Sequence, residues 1–103
     1  GLGYNLNLPL PRGTGDGEYM QALKTGLGRI EAFGADVIVV ALGLDAYEND
    51  PLKGLAVTTD GFAAIGGAIA LSGLPVLLVQ EGGYLCDGLG PNLTNFIGGV
   101  QAT

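Results

Sequence analysis

The apolar run Val37-Ile38-Val39-Val40-Ala41-Leu42-Gly43-Leu44 stops abruptly at Asp45, and this constrains the fold more than any other feature of the chain. A β-branched stretch without polar alternation reads as a strand covered on both faces, as in a parallel sheet flanked by helices. A carboxylate at its C-terminal end then stands at the rim where open α/β sheets bind ligands. A second strand, Val76-Leu77-Leu78-Val79, ends in the same way, in Gln80-Glu81-Gly82-Gly83-Tyr84. With a helix between them the strands run parallel, and Asp45 and Tyr84 emerge on one edge.

The intervening pattern supplies that helix. Thr58 or Thr59 is suited to cap a helix running to about Ser72, with Asp60 in its first turn. Phe62, Ile65 and Ile69 form its contact face, and the small residues Ala63, Ala64, Gly66, Gly67 and Ala68 make it slender enough to pack tightly. Gly73 ends it and Pro75 opens the second strand. Upstream, Asp16 is expected to cap a helix through about Phe33, whose apolar face is Met20, Leu23, Leu27 and Ile30 and whose stop is Gly34. Gly26 and Gly28 weaken this helix by about 1 kcal/mol each, which suggests close backbone packing there. Leu89, Leu93, Phe96, Ile97 and Val100 trace a last helix. Residues 1–17, rich in glycine and proline, read as a loop with an extended centre at Asn5-Leu6-Asn7-Leu8.

The expected fold is therefore α/β, with two parallel strands and three helices and no internal boundary over residues 1–103. Two strands are too few for a stable covered sheet, so the chain reads as one flank of a larger doubly wound sheet. Composition agrees. The chain is 48% apolar but only 14% charged, against about 25% for an ordinary soluble domain, so some apolar surface should face something outside it. The start, Gly1-Leu2-Gly3-Tyr4-Asn5, reads as the interior of a longer protein. The net charge of −6 argues against nucleic acid or an anionic membrane surface as partner. No apolar run reaches the roughly 18–20 residues of a membrane span, and no signal-peptide layout opens the chain, so a cytoplasmic address is expected.

Histidine is absent and cysteine occurs once, as Cys86. A serine–histidine–aspartate triad, a cysteine–histidine pair and a histidine-ligated zinc site are therefore impossible within this chain. Cys86 lacks a histidine or basic neighbour and reads as a small packed residue. Gly13, Gly15 and Gly17 match neither the dinucleotide nor the P-loop spacing, and no strand precedes them, so nucleotide binding is disfavoured. Two roles suit Asp45: a helix cap or hydrogen-bonded loop acid, or a metal-binding carboxylate. Tyr84 either packs over the sheet end or, freed by the preceding glycines, donates a hydrogen bond to a developing oxyanion. Glu81 reads as a solvated loop acid in preference to a buried functional one, and Asp50, within the turn chemistry of Asp50-Pro51 and Gly54, as either a turn residue or a catalytic acid.

The segments Leu42-Gly43-Leu44-Asp45-Ala46-Tyr47-Glu48-Asn49-Asp50-Pro51, Leu55-Ala56-Val57-Thr58-Thr59-Asp60-Gly61-Phe62 and Gln80-Glu81-Gly82-Gly83-Tyr84 resemble, in order, the C-terminal third of the zinc-dependent histone deacetylase and acetylpolyamine amidohydrolase family. Gly3-Tyr4-Asn5-Leu6-Asn7-Leu8-Pro9-Leu10 is similar to the entry of bacterial members into this part of the fold. The resemblance implies that Asp45 is the second aspartate of an aspartate–histidine–aspartate zinc site and that Tyr84 polarises the scissile acetyl carbonyl. It implies that Gly82 and Gly83 line the acyl channel and that the substrate is an acetyl-lysine or acetylpolyamine. The other zinc ligands and the histidine pair of the family have no counterpart here, so the 103 residues alone are expected to be inactive. Their partner would be the missing N-terminal part of the domain, or a second copy. The alternative is a non-catalytic interaction or oligomerisation module built on the same fold.

Overall fold

The computed structural model describes residues 3–102, so Gly1 and Leu2, at the head of the expected N-terminal loop, lie outside it. Helix α1 (Asp16–Phe33) leads into strand β1 (Ile38–Gly43), a short 3-10 turn (Leu44–Ala46) and helix α2 (Thr59–Ala70). Strand β2 (Val76–Gly82) and helix α3 (Leu89–Gln101) complete the chain. The two strands are parallel, with Ile38 opposite Val76 and Leu42 opposite Gln80. Among the described residues no helix is long and apolar enough to cross a membrane.

The helix boundaries follow from local chemistry. Gly34 takes the left-handed conformation, φ 80°, and its N–H reaches the carbonyls of Glu31 and Ile30, which closes α1. Thr58 caps α2 through its hydroxyl, which accepts the Gly61 N–H at 3.0 Å. Asp16 does not cap α1. Gly15 holds that position, and the Asp16 carboxylate instead accepts the Thr58 N–H at 2.8 Å and the Thr58 hydroxyl. Already inside the helix, the aspartate reaches a donor 42 positions away rather than its own first turn. Of the apolar run 37–44, strand β1 takes Ile38–Gly43; α2 ends at Ala70 rather than Ser72, and β2 continues through Gln80, Glu81 and Gly82.

Among the described residues one hydrophobic cluster joins all three helices and both strands. Leu42, Leu44, Val57, Phe62, Ile65, Ile69 and Phe96 are buried together, with Tyr19, Met20, Leu23 and Leu27 of α1 and Val40, Val76 and Leu78 of the strands packed against them. Ile30, expected on the same face of α1, lies outside this cluster. The tightest backbone approach is not at Gly26 or Gly28: a Cβ on Gly26 would make ordinary contact with Leu8, and one on Gly28 would meet nothing. It lies between α2 and α3, where a side chain on Gly66 would strike the Phe96 carbonyl and one on Gly99 the Ala63 carbonyl. The slenderness of α2 is thus used in full.

Within the described chain β1 is covered on one face only, as expected of one flank of a larger sheet that leaves apolar surface for a layer outside it. Ile38, Val40 and Leu42 face the helices, whereas Val37, Val39 and Ala41 are exposed, as are Leu77 and Val79 on β2. All three helices contribute to the one core cluster, so the opposite sheet face has no cover within the described chain.

Candidate active site

At the C-terminal edge of the sheet the register shifts. Leu42 pairs with Gln80 but Gly43 with Gly82, so Glu81 has no opposite number on β1. A bulge of this kind re-aims the residues beyond it. Glu81 itself is exposed, in keeping with a solvated acid. Two residues after Gly43 comes Asp45, in the 3-10 turn; two residues after Gly82 comes Tyr84. The two expected site residues are therefore brought to one edge by paired strand ends.

The Asp45 carboxylate lies against both glycines of that pair. A Cβ on Gly82 would stand 2.6 Å from Asp45 Oδ1 and 2.9 Å from Oδ2, and one on Gly43 would stand 2.7 Å from Oδ1. Any side chain at Gly82 would displace the carboxylate. Gly83 has φ 133°, and a Cβ there would press on Leu44 Cβ at 2.9 Å and Leu89 Cδ1 at 3.1 Å. In this chain Gly82 thus borders the carboxylate, while Gly83 leans on the base of the turn that bears it. Tyr84 follows, largely exposed, with Leu85 beside it.

The backbone around Asp45 is clamped from outside the sheet. Val57 donates its N–H to the Ala46 carbonyl at 3.0 Å, and Glu48 donates to the Val57 carbonyl at 2.8 Å. Ala56 in turn donates to the Thr14 carbonyl at 2.8 Å, and Gly13 to the Gly54 carbonyl at 2.9 Å. The segment 54–57 is therefore a strap between the 13–15 stretch and the Asp45 turn. The Asp16–Thr58 bonds pin its downstream end. A side chain on Gly61 would strike the Asp16 carboxylate, so that close contact also depends on a glycine.

Asp50 is almost wholly buried, and its Oδ2 accepts the Leu52 N–H at 2.8 Å, which is the turn role read from Asp50-Pro51. Cys86 is half-buried and unbridged. Tyr19 was not singled out in the sequence. Burial pushes its phenol above the ordinary tyrosine value, and the charge of Asp45 adds to the rise, which brings α1 into the electrostatics of the site. Its place just before Met20 on the apolar face of α1 was the available signal. Asn92 was also missed: it is fully buried on α3 with neither side-chain polar atom hydrogen-bonded.

Among the described residues no three histidine, cysteine, aspartate or glutamate side chains gather into a metal-holding group. At this edge Asp45 lies against the paired glycines and Glu81 is exposed, a set smaller than the three protein ligands of a catalytic zinc.

A family profile described as the histone deacetylase domain matches residues 1–100. An acetylpolyamine amidohydrolase of Burkholderia pseudomallei is 42% identical over 102 residues, 99% of this chain and 30% of that protein. One from Mycoplana ramosa is 43% identical over 100 residues, 97% of this chain and 29% of that protein. The crystal structure of the acetylpolyamine aminohydrolase from Burkholderia pseudomallei superposes with a TM-score of 0.92 at 44% identity, covering 99% of this chain and 30% of that one. The chain thus spans about 30% of the length of the relatives it matches.

Proposed function

The chain belongs to the histone deacetylase domain family, and from that premise we propose that it is the C-terminal portion of a zinc-dependent amidohydrolase that removes acetyl groups from acetyl-lysine or acetylpolyamine. The observation that carries the reading is the convergence of Asp45 and Tyr84 on one sheet edge through the Gly43–Gly82 pair.

In this reading Asp45 is one carboxylate ligand of a zinc ion whose other ligands come from outside the chain. The metal would activate water and polarise the amide carbonyl. Tyr84 acts from the opposite strand end. Its phenolic O–H donates a hydrogen bond to the carbonyl oxygen as that oxygen gains negative charge, an interaction stronger in the transition state than in the bound substrate. Gly82 leaves the Asp45 carboxylate undisturbed, and Gly83 lets the backbone approach the acyl group. The oxygen of water bonds to the carbonyl carbon, the carbon–nitrogen bond breaks, and a proton from that water passes to the departing nitrogen, which gives acetate and the free amine. A cytoplasmic address completes the reading.

The chain grafted in place of the matching stretch of the Burkholderia pseudomallei amidohydrolase tests this. The graft should bind zinc and deacetylate a fluorogenic acetyl-lysine substrate or an acetylated polyamine, while the 103 residues alone should do neither. Asp45→Ala should abolish both zinc binding and activity, and Tyr84→Phe should keep the zinc and lower kcat by about 100- to 1,000-fold. A folded, zinc-loaded graft indifferent to both changes would sink the assignment.

The open sheet face supports a second reading, in which the chain is a non-catalytic module that completes its sheet with a second copy. Self-association at micromolar concentration together with an inert graft would favour it.

A further inference from the structure

The loop that carries Tyr84 rests at both ends on residues flanking Asp45. At its start Gly83 lies over Leu44, which precedes Asp45. At its far end a Cβ on Gly88 would stand 2.5 Å from Tyr47 Cε2, 2.6 Å from Cζ and 2.8 Å from the hydroxyl oxygen. The Tyr47 ring therefore fills the space that a side chain at position 88 would take. Tyr47 is itself held: its N–H donates to the Leu44 carbonyl at 3.3 Å, its carbonyl accepts the Asp50 N–H at 3.1 Å, and its side chain packs against the core cluster. Gly88 is equally committed, as the residue that caps α3 and accepts the Asn92 N–H at 2.8 Å. Between these anchors Leu85 is 91% exposed, so the ends of the loop govern its path.

Resting on the roles assigned above to Asp45 and Tyr84, we propose that Tyr47 is a positioning residue, whose ring against Gly88 holds the Tyr84 loop at a set distance from the Asp45 turn. Leu44 and Tyr47 bracket the 3-10 turn, so the carboxylate and the phenol are both referenced to one short rigid element. A catalytic hydrogen bond needs that reference, because a displacement of about 1 Å can lower a rate by on the order of 100-fold. The ring carries the effect; the hydroxyl does not.

The test is a set of variants in the graft. Tyr47→Ala should lower kcat by about 10- to 100-fold with KM and zinc content nearly unchanged, and Tyr47→Phe should restore kcat to within about twofold. Gly88→Ala should lower kcat in the parent but have little further effect once Tyr47 is alanine, because the obstructing ring is gone. Equal kcat for Tyr47→Ala and the parent, or a loss shared by kcat, zinc content and melting temperature, would overturn the proposal. A second measurement does not depend on activity. Chymotryptic cleavage after Tyr84 or Leu85, in the 103-residue chain and in the graft, should accelerate in Tyr47→Ala and not in Tyr47→Phe. Unchanged cleavage in both proteins would also overturn it. An inert unsubstituted graft would refute the roles of Asp45 and Tyr84, while the cleavage pattern would still decide the placement of the loop.

Discussion

The two faces of the β1–β2 sheet have nearly the same composition and opposite fates. One presents Val40, Leu42, Val76 and Leu78 to a core shared by α1, α2 and α3, with Ile38 buried on the same side. The other presents Val37, Val39, Leu77 and Val79 at 53%, 64%, 56% and 40% exposure. Apolar side chains of similar size differ only in whether the chain supplies a layer to cover them. Apolar burial is worth about 25 cal/mol per Å², so the open face is a reserve of stabilisation realised only when another layer covers it. The same asymmetry reaches the rim. The covered side positions Asp45 through Leu44, Ala46 and Val57, which are all buried.

The covered side should break first and hardest. Gly66→Val drives a side chain into the Phe96 carbonyl and should separate α2 from α3, with loss of cooperative folding in a urea titration. Phe96→Ala, at a fully buried position, should cost about 3–5 kcal/mol in the same experiment. Tolerance of both would mean that the helical layer is not what holds the sheet.

The open face should respond according to context. In the isolated chain Val39→Asp places a charge on an exposed surface and should leave the chain no less soluble, with weaker self-association by light scattering. If the rest of the domain in the graft covers this face, the same change should there cost about 3–5 kcal/mol, the penalty of an unpaired buried charge. Equal effects in the two proteins would show that the graft does not cover Val39, and the contrast between the faces would lose its meaning.

The smallest effect sharpens the contrast at the rim, where desolvation from the covered side meets the charge of Asp45. The folded-state value of Tyr19 is raised by burial first and by Asp45 second. Its contribution to stability is fully present below the unfolded value of about 10 and falls as pH rises through the folded value, because the unfolded chain then releases its proton first. Absorbance titration of the metal-free protein should show a delayed phenol that is lost in Tyr19→Phe and less delayed in Asp45→Asn. Normal ionisation of all four tyrosines would put Tyr19 outside the buried layer.

What is legible from residues alone is what local chemistry encodes. The period of Leu23 and Leu27 on α1, the Gly34 stop, the Thr58 cap and the β-branched run ending at Asp45 each express a preference of a few neighbouring residues. Strand direction follows from a helix lying between the strands, and that is enough to place Asp45 and Tyr84 on one edge. Tertiary structure decided the rest. It selected which sheet face is covered, since a residue pattern that is apolar on both sides cannot say where the cover comes from. It also took Asp16 from its own helix end to Thr58, moved close packing from Gly26 and Gly28 to Gly66 and Gly99, and set Gly82 against Asp45 and Gly88 against Tyr47. Each of these is a contact between residues far apart in the chain, fixed by the space left when three helices and two strands share one core, and no periodicity or propensity records that space.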